Sequence, residues 1–347
     1  MSAFVTALGA RSPAGLNAEQ TAFGIRFSHL APARTRFENS YREAVGMSLL
    51  PALPSELEGR DRMAALAVPA LTECLNRDLR GAGESGPVRP IVLLGCPSPR
   101  PGFTAEDAGR LLEEVVRQAG IDADPERSAA FAVGHASFAV ALERALKLLP
   151  GVRGAPVIVG SVDSYHDAEA VAFFDDEMRV LSVHTTDGFL PAEGAGFVAV
   201  RGGPARTGAL GEVVMAGTDM ESTVREGKPN LARAATDLFA RATAALGGAG
   251  GGRSPGWYLR TTNRERHRTR EDRFVGTRYP ELLDPDETTL DELAEHLGDA
   301  GAASGGLLAV YACQGFAAGY APRRTAVIAL SSDGPERGIV ALRAATT

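Results

Sequence analysis

Residues 133–146 read VGHASFAVALERAL. A short apolar run, FAV, leads into Gly134, then His135, then small residues and an apolar helix. That order is the grammar of a strand-to-helix elbow, a sharp turn that presents one side chain at a helix N-terminus. Such elbows usually present serine or cysteine; this one presents an imidazole. Three roles fit His135: a nucleophile forming a labile acyl-imidazole, a general base, or a histidine that caps the buried helix through its hydrogen bonds. The positive end of the helix dipole disfavours an imidazolium, so the ring is expected to be neutral at pH 7. The hydroxyls of Ser137 and Ser304 would each need a nearby base. Ser137 lies only two residues from His135, and side chains at that spacing do not share a helix face.

Other reactive side chains have plainer readings. Cys74, Cys96 and Cys313 are far apart and odd in number, without ligand spacing for zinc. Cys96 and Cys313 read as small buried apolar residues. Asp163 ends an apolar strand in Gly160-Ser161-Val162-Asp163-Ser164, and Glu193 opens Glu193-Gly194-Ala195-Gly196. Both acids suit holding loops through backbone N–H groups, while Gly194 and Gly196 permit close backbone approach. His166 and His184 flank FFDDE, with Asp167, Asp175 and Asp176 nearby; the spacing is loose for a metal and reads as a polar loop. No metal or cofactor is expected. The run from Arg260 to Arg273 is basic. It reads as a solvated face, or as a docking patch for an acidic protein or a phosphopantetheine phosphate. Aromatic interleaving for a nucleic acid is missing.

The elements that would position these residues follow from periodicity. Apolar runs at 3–11, 91–95, 156–164, 196–201, 211–219 and 257–262 read as strands, and IVLLG has the continuous apolarity of a strand covered on both faces. Helices are expected over 17–28, over 61–79 with Pro69 kinking it or near its start, from an N-cap at Thr104 to a stop at Gly120, from the elbow to about 149, and over 231–246. TTLDELAEHLG and AASGGLLAVYACQGFAAG also read as helices. Residues 31–58 look irregular, and GGAGGGRSPG reads as a flexible linker.

With 347 residues, 44% of them apolar and 23% charged, the chain can bury a large core. The formal charge of −7 argues against a general nucleic-acid binder. No signal peptide or membrane-spanning run is evident, and the cysteine usage suits the cytoplasm.

The C-terminal end echoes an earlier passage. SFAVALERALKLL…PVIVGSVDS…GFVAVRG parallels SGGLLAVYACQGF…TAVIALSSDG…GIVALRA. Each is an apolar helix, a buried strand ending in Ser-Asp or Asp-Ser, and a returning strand. The repeat implies two similar halves, 1–205 and 206–347. Helices apolar all round lie inside a protein. Two such helices between two sheets make an α/β fold of five layers, α-β-α-β-α.

These residues resemble the β-ketoacyl synthases of the thiolase-like superfamily. VIVGSVDS followed by DGFLPAEGAGFVAVR is similar to that family's strand and its "DGF-x-x-GEGAG" segment, ASFAVALERAL to its nucleophile helix, and HLGDAGAASGGLLAVYACQ to its "N-x-GH-x-x-x-AAG" helix. The resemblance implies a Cys-His-His triad, with the cysteine at a buried helix N-terminus and two histidines assisting decarboxylation. Carried over one at a time, the nucleophile falls on His135, the first histidine on Asn263 after the strand at 257–262, and the second on Asp299. Ser331-Ser332-Asp333-Gly334 stands where the family has a "GFGG" loop. No catalytic residue is therefore assigned; His135, Ser137, Asp299 and Ser332 are candidate binding residues, and Asp163, Ser164, Glu193, Gly194 and Gly196 candidate structural ones. The resemblance implies a non-catalytic partner or adaptor subunit, a pseudoenzyme forming a homodimer or pairing with a related chain. Synthase-like sequences of this kind are associated with bacterial biosynthetic and secretion clusters, type VI among them. The alternative is an acyltransferase acting on acyl thioesters with altered residues.

Overall fold

Short apolar runs punctuated by glycine and proline become strands here, and the chain supplies them in two matching sets. The computed structural model describes residues 2–27, 32–82, 88–152, 154–204, 208–225, 228–247 and 254–345. The first set comprises β1 (Ala3–Arg11), α1 (Ala18–Phe27), β2 (Ala33–Glu38), β3 (Ala44–Met47), α2 (Gly59–Ala82), β4 (Ile91–Cys96), α3 (Ala105–Gln118), β5 (Ala129–Ala132), α4 (Ser137–Leu148), β6 (Val157–Ser164), α5 (Ala168–Asp176) and β7 (Glu193–Gly202). The second comprises β8 (Gly211–Met220), α6 (Ser222–Arg225), α7 (Arg233–Gly247), β9 (Trp257–Arg260), α8 (Arg266–Arg278), β10 (Thr289–Glu292), α9 (Leu293–Leu297), α10 (Ala303–Ala318), β11 (Thr325–Ser331) and β12 (Glu336–Arg343).

The strands run β5-β4-β6-β7-β1 in one set and β10-β9-β11-β12-β8 in the other, joined where β1 meets β8. In each set three parallel strands are followed by two antiparallel returns. The central apolar cluster takes Phe138 and Leu142 from α4, Leu307 and Val310 from α10, and inward residues of both strand sets, such as Val159 and Ile328. Outside the first set, α2 and α3 pack on Ile158 and Phe197. Outside the second, Leu238 and Phe239 of α7 and Val275 of α8 pack on Tyr258 and Val327. Along β6, Val157 and Val159 face inward while Ile158 and Val162 face outward, the two-residue alternation of a strand covered on both sides. The result is the five-layer α/β arrangement expected from the buried helices.

Gly196 explains how α10 lies so close to β7. A methyl group at Gly196 would stand 2.4 Å from the Gly306 carbonyl carbon, and one at Gly306 would stand 2.3 Å from the Gly196 oxygen. Thr104 caps α3 in a reciprocal capping box with Asp107. Gly120 follows the helix at φ +65°.

Several local expectations need correction. Residues 31–58 are not wholly irregular: β2 and β3 pair as a small separate sheet. Phe37, Val45 and Met47 share a satellite cluster with Tyr165, Phe174 and Phe189. The FFDDE stretch is helical in α5, capped by Asp167, because Val171 and Phe174 are three residues apart and bury on one face. Pro69 sits inside α2, away from its start, one of the two placements the sequence allowed. The strand at 257 ends at Arg260, and much of the basic run forms α8. The 205/206 division and most of the glycine linker, residues 248–253, lie outside the described residues. Among the described residues no helix is long and apolar enough to cross a membrane.

Candidate functional site

The elbow is built by β5, one residue in an irregular conformation, and Gly134 at φ +68°, a backbone state that glycine adopts without strain. A single 3-10 turn over Gly134–Ala136 then leads directly into α4. The side chain it presents is His135, which is 3% exposed. Its Nε2 lies 2.8 Å from Asp299 Oδ1, and its Nδ1 lies 3.3 Å from Arg268 Nη2. A guanidinium only donates, so Nδ1 must accept, and the ring proton belongs on Nε2, donated to Asp299. The partners thus select the neutral Nε2-protonated tautomer.

Asp299 is delivered by the turn before α10, between Gly298 at φ +87° and Gly301 at φ +55°. Its Oδ1 also accepts from the Gly301 N–H at 2.8 Å, and its Oδ2 accepts from Asn263 Nδ2. Burial opposes its charge, but His135, the Arg268 guanidinium and the Gly301 N–H hold the carboxyl well below the usual range. Asn263 follows β9 and also donates to Glu265 at 3.0 Å. The three positions singled out from the sequence, His135, Asn263 and Asp299, therefore meet in one buried chain of hydrogen bonds.

Sequence reasoning missed the arginines that close this chain. Arg268 comes from the inward face of α8, donates to the Ser331 carbonyl, and pairs with Asp333 at 2.6 Å. Arg179 reaches Glu265 at 2.7 Å and Asp333 at 3.0 Å. Partial burial opposes ionisation of Asp333, yet the two arginines hold its carboxyl far below the ordinary range. The signal available was periodic: Arg268, Glu271 and Val275 recur at helical spacing, and all three are buried. The outward residues Arg264, Arg266, Arg270 and Arg273 are exposed. The basic run is thus two populations, since Arg260 pairs with Asp272 and Glu292.

Ser332 acts on the elbow itself. Its Oγ accepts from the Ala136 N–H at 3.0 Å and donates to the Val133 carbonyl. Ser137 is placed differently from the binding role expected of it. Its hydroxyl is fully buried, has no hydrogen-bond partner among the described residues, and packs against Gly95. It is not among the residues lining the cavity in front of His135. Asp163 accepts from the Ala302 N–H at 2.9 Å and pairs with Arg100 at 2.6 Å, fixing the start of α10. Glu193 accepts from the Leu50 N–H at 2.8 Å, from Ser164 Oγ at 2.7 Å and from both ends of the buried Arg62 fork. Gly194 and Gly196 lie against α10.

No thiol stands at the elbow. Cys96 ends β4, Cys74 lies in α2 and Cys313 in α10, all fully buried. Burial pushes the Cys313 thiol up to about 12 and the other two far above their ordinary value. Glu265, His267 and Asp333 could converge on a cation, their ligand atoms lying within 4.8 Å of one another. However, Arg179 already occupies both carboxylates, so a metal would have to displace a guanidinium. The site opens on a cavity of about 360 Å³ walled by Ser98, Arg100, Tyr165, Phe173, Phe174 and Glu336, among others.

No family model and no curated protein matches the chain. Solved structures do. The ishigamide ketosynthase/chain length factor aligns with all of this chain and all of its own at 18% identity and a TM-score of 0.69. A chain from the complex of a type II polyketide synthase acyl-carrier protein with its ketosynthase bound to the hexaketide aligns over 99% of each chain at 13% identity and a TM-score of 0.67. The oxazolomycin ketosynthase domain of Streptomyces albus aligns with the whole chain and 75% of its own at 14% identity and a TM-score of 0.74. At such identities the likeness speaks for architecture. Taken with the five layers, the duplicated strand order and the elbow, it shows that this chain has the thiolase-like fold of the β-ketoacyl synthases.

Proposed function

We propose that the chain is a non-condensing, synthase-like subunit, a pseudoenzyme that serves as a partner or adaptor. The observation that carries this is the state of His135. Nε2 gives its proton to Asp299, and the ring's one basic lone pair, on Nδ1, faces the Arg268 guanidinium, so it is not free to attack or to take a proton. Asn263 and Asp299, at the family's two histidine positions, serve as supports of that ring. An anionic Asp299 would also repel the enolate that a condensing site must stabilise.

A protein partner suits the rest of the molecule. The exposed arginines of the α8 region form a basic face on a chain of negative net charge, suited to an acidic protein. Pairing with a second copy or a related chain would use the free edge of β5. The setting we favour is the bacterial cytoplasm, within a biosynthetic or secretion cluster such as a type VI locus. The acyltransferase alternative draws on the 360 Å³ cavity, which an acyl group could enter. It would require Arg268 to swing away from His135.

Intact-mass measurement after incubation with malonyl- and acyl-thioesters tests the proposal. The chain is expected to keep its mass. A stable acyl adduct mapping to residues 134–148 would establish the acyltransferase instead.

A further inference from the structure

The cavity contains groups that the proposed function does not use. Tyr165 is 4% exposed and lines it, and its hydroxyl has no hydrogen-bond partner among the described residues. Burial and the nearby carboxylates of Asp299 and Asp163 push its phenol well above the ordinary value, so the hydroxyl keeps its proton and stays neutral. Ser98 lines the same cavity with a hydroxyl likewise unpartnered among the described residues. Both residues line the open volume, so their unpartnered hydroxyls are within reach of a ligand group or water there.

The charges decide what kind of ligand. Among the described residues, five formally charged side chains line the cavity: Arg100, Arg179, Asp163, Asp333 and Glu336. Arg100 is paired with Asp163, and Arg179 with Asp333. Glu336 alone has no ion-pair partner among the described residues. Its carboxylate lies over the 331–336 turn, with Oε2 2.4 Å from where a Gly334 methyl group would stand. The lining therefore carries one uncompensated negative charge. Phe173 and Phe174 supply an aromatic wall, and Phe173 is 37% exposed.

We propose that this cavity binds a small organic cation, a primary amine on an aromatic or branched apolar body. The ammonium faces Glu336, the hydroxyls of Tyr165 and Ser98 accept its N–H groups or those of a neighbouring polar group, and the body lies against Phe173 and Phe174. An anion would meet the unpaired carboxylate, and a neutral analogue would leave it unanswered. The inference rests on reading the cavity as a binding site that does not condense. The two fail separately, because acylation is read by mass and amine binding by titration.

Ligand-observed NMR titration of the full chain with benzylamine, benzamide and benzoate makes the test. Benzylamine is expected to bind at least roughly tenfold more tightly than either analogue, the worth of one charge-assisted hydrogen bond. Glu336→Gln should erase that preference, and Tyr165→Phe should weaken benzylamine by about tenfold. Both variants should keep the parent circular dichroism and melting temperature within a few degrees. Absence of benzylamine binding, equal binding of benzamide or benzoate, or an unchanged preference in Glu336→Gln would overturn the proposal.

Discussion

At the residue scale the site is a set of ionised groups held against burial, and this makes stability depend on pH in a calculable direction. Asp299 and Asp333 have folded-state carboxyls below their unfolded values, so their contribution is present above about pH 4 and is lost as acid protonates them. His166 works in the same direction at higher pH. Burial first, then the Arg62 charge, depresses its imidazole, so unfolding takes up a proton below about pH 6.5. The urea midpoint should therefore fall in two stages, a first between pH 7 and 5.5 and a steeper one below pH 4. His166→Gln should reduce only the first, to which His267, depressed by burial and then by the Arg268 charge, also contributes; a midpoint that holds steady across both stages would contradict the assignment. The chemistry-bearing positions were legible because each sits beside a local signature: Gly134 before His135, a strand before Asn263, glycines on both sides of Asp299. Arg268, Arg179 and Asp333 were not, because their pairing joins segments up to 154 residues apart, and one sequence carries no signal for that.

At the element scale the two ends of the strand order differ in a way that bears on assembly. β10 reads TLDE and ends in two carboxylates, whereas β5 reads AAFA and is half-buried along its length. Charges protect an edge, and an apolar edge invites another strand. Two copies meeting through β5 would extend the strand order across a twofold axis. Sedimentation should accordingly show a species of twice the chain mass at micromolar concentration. A monomeric parent chain at those concentrations would remove β5 as the interface between identical copies. The long apolar helices and continuously apolar strands were readable from periodicity. The hairpin of β2 and β3 and the helix α5 were not, since their apolar residues are sparse and bury only against one another.

At the scale of the whole molecule, duplication explains both the fold and its legibility. Each half offers a sheet with one face that only the other half's sheet and the two central helices can cover, so neither forms a complete core alone. The echo between the sequence around α4 and β6 and that around α10 and β11 was sufficient to suggest this. It also brings two helix N-termini together, those of α4 and α10, and His135 and Asp299 stand at that meeting point. The account depends on what that imidazole is doing there. The most direct measurement is ¹⁵N NMR of the His135 ring in the intact protein at pH 7.5. The expected spectrum is a neutral ring with its proton on Nε2, and Arg268→Ala should disturb that tautomer. A proton on Nδ1, or a doubly protonated ring, would mean that Arg268 does not cap His135, and the elbow would have to be regarded as chemically available.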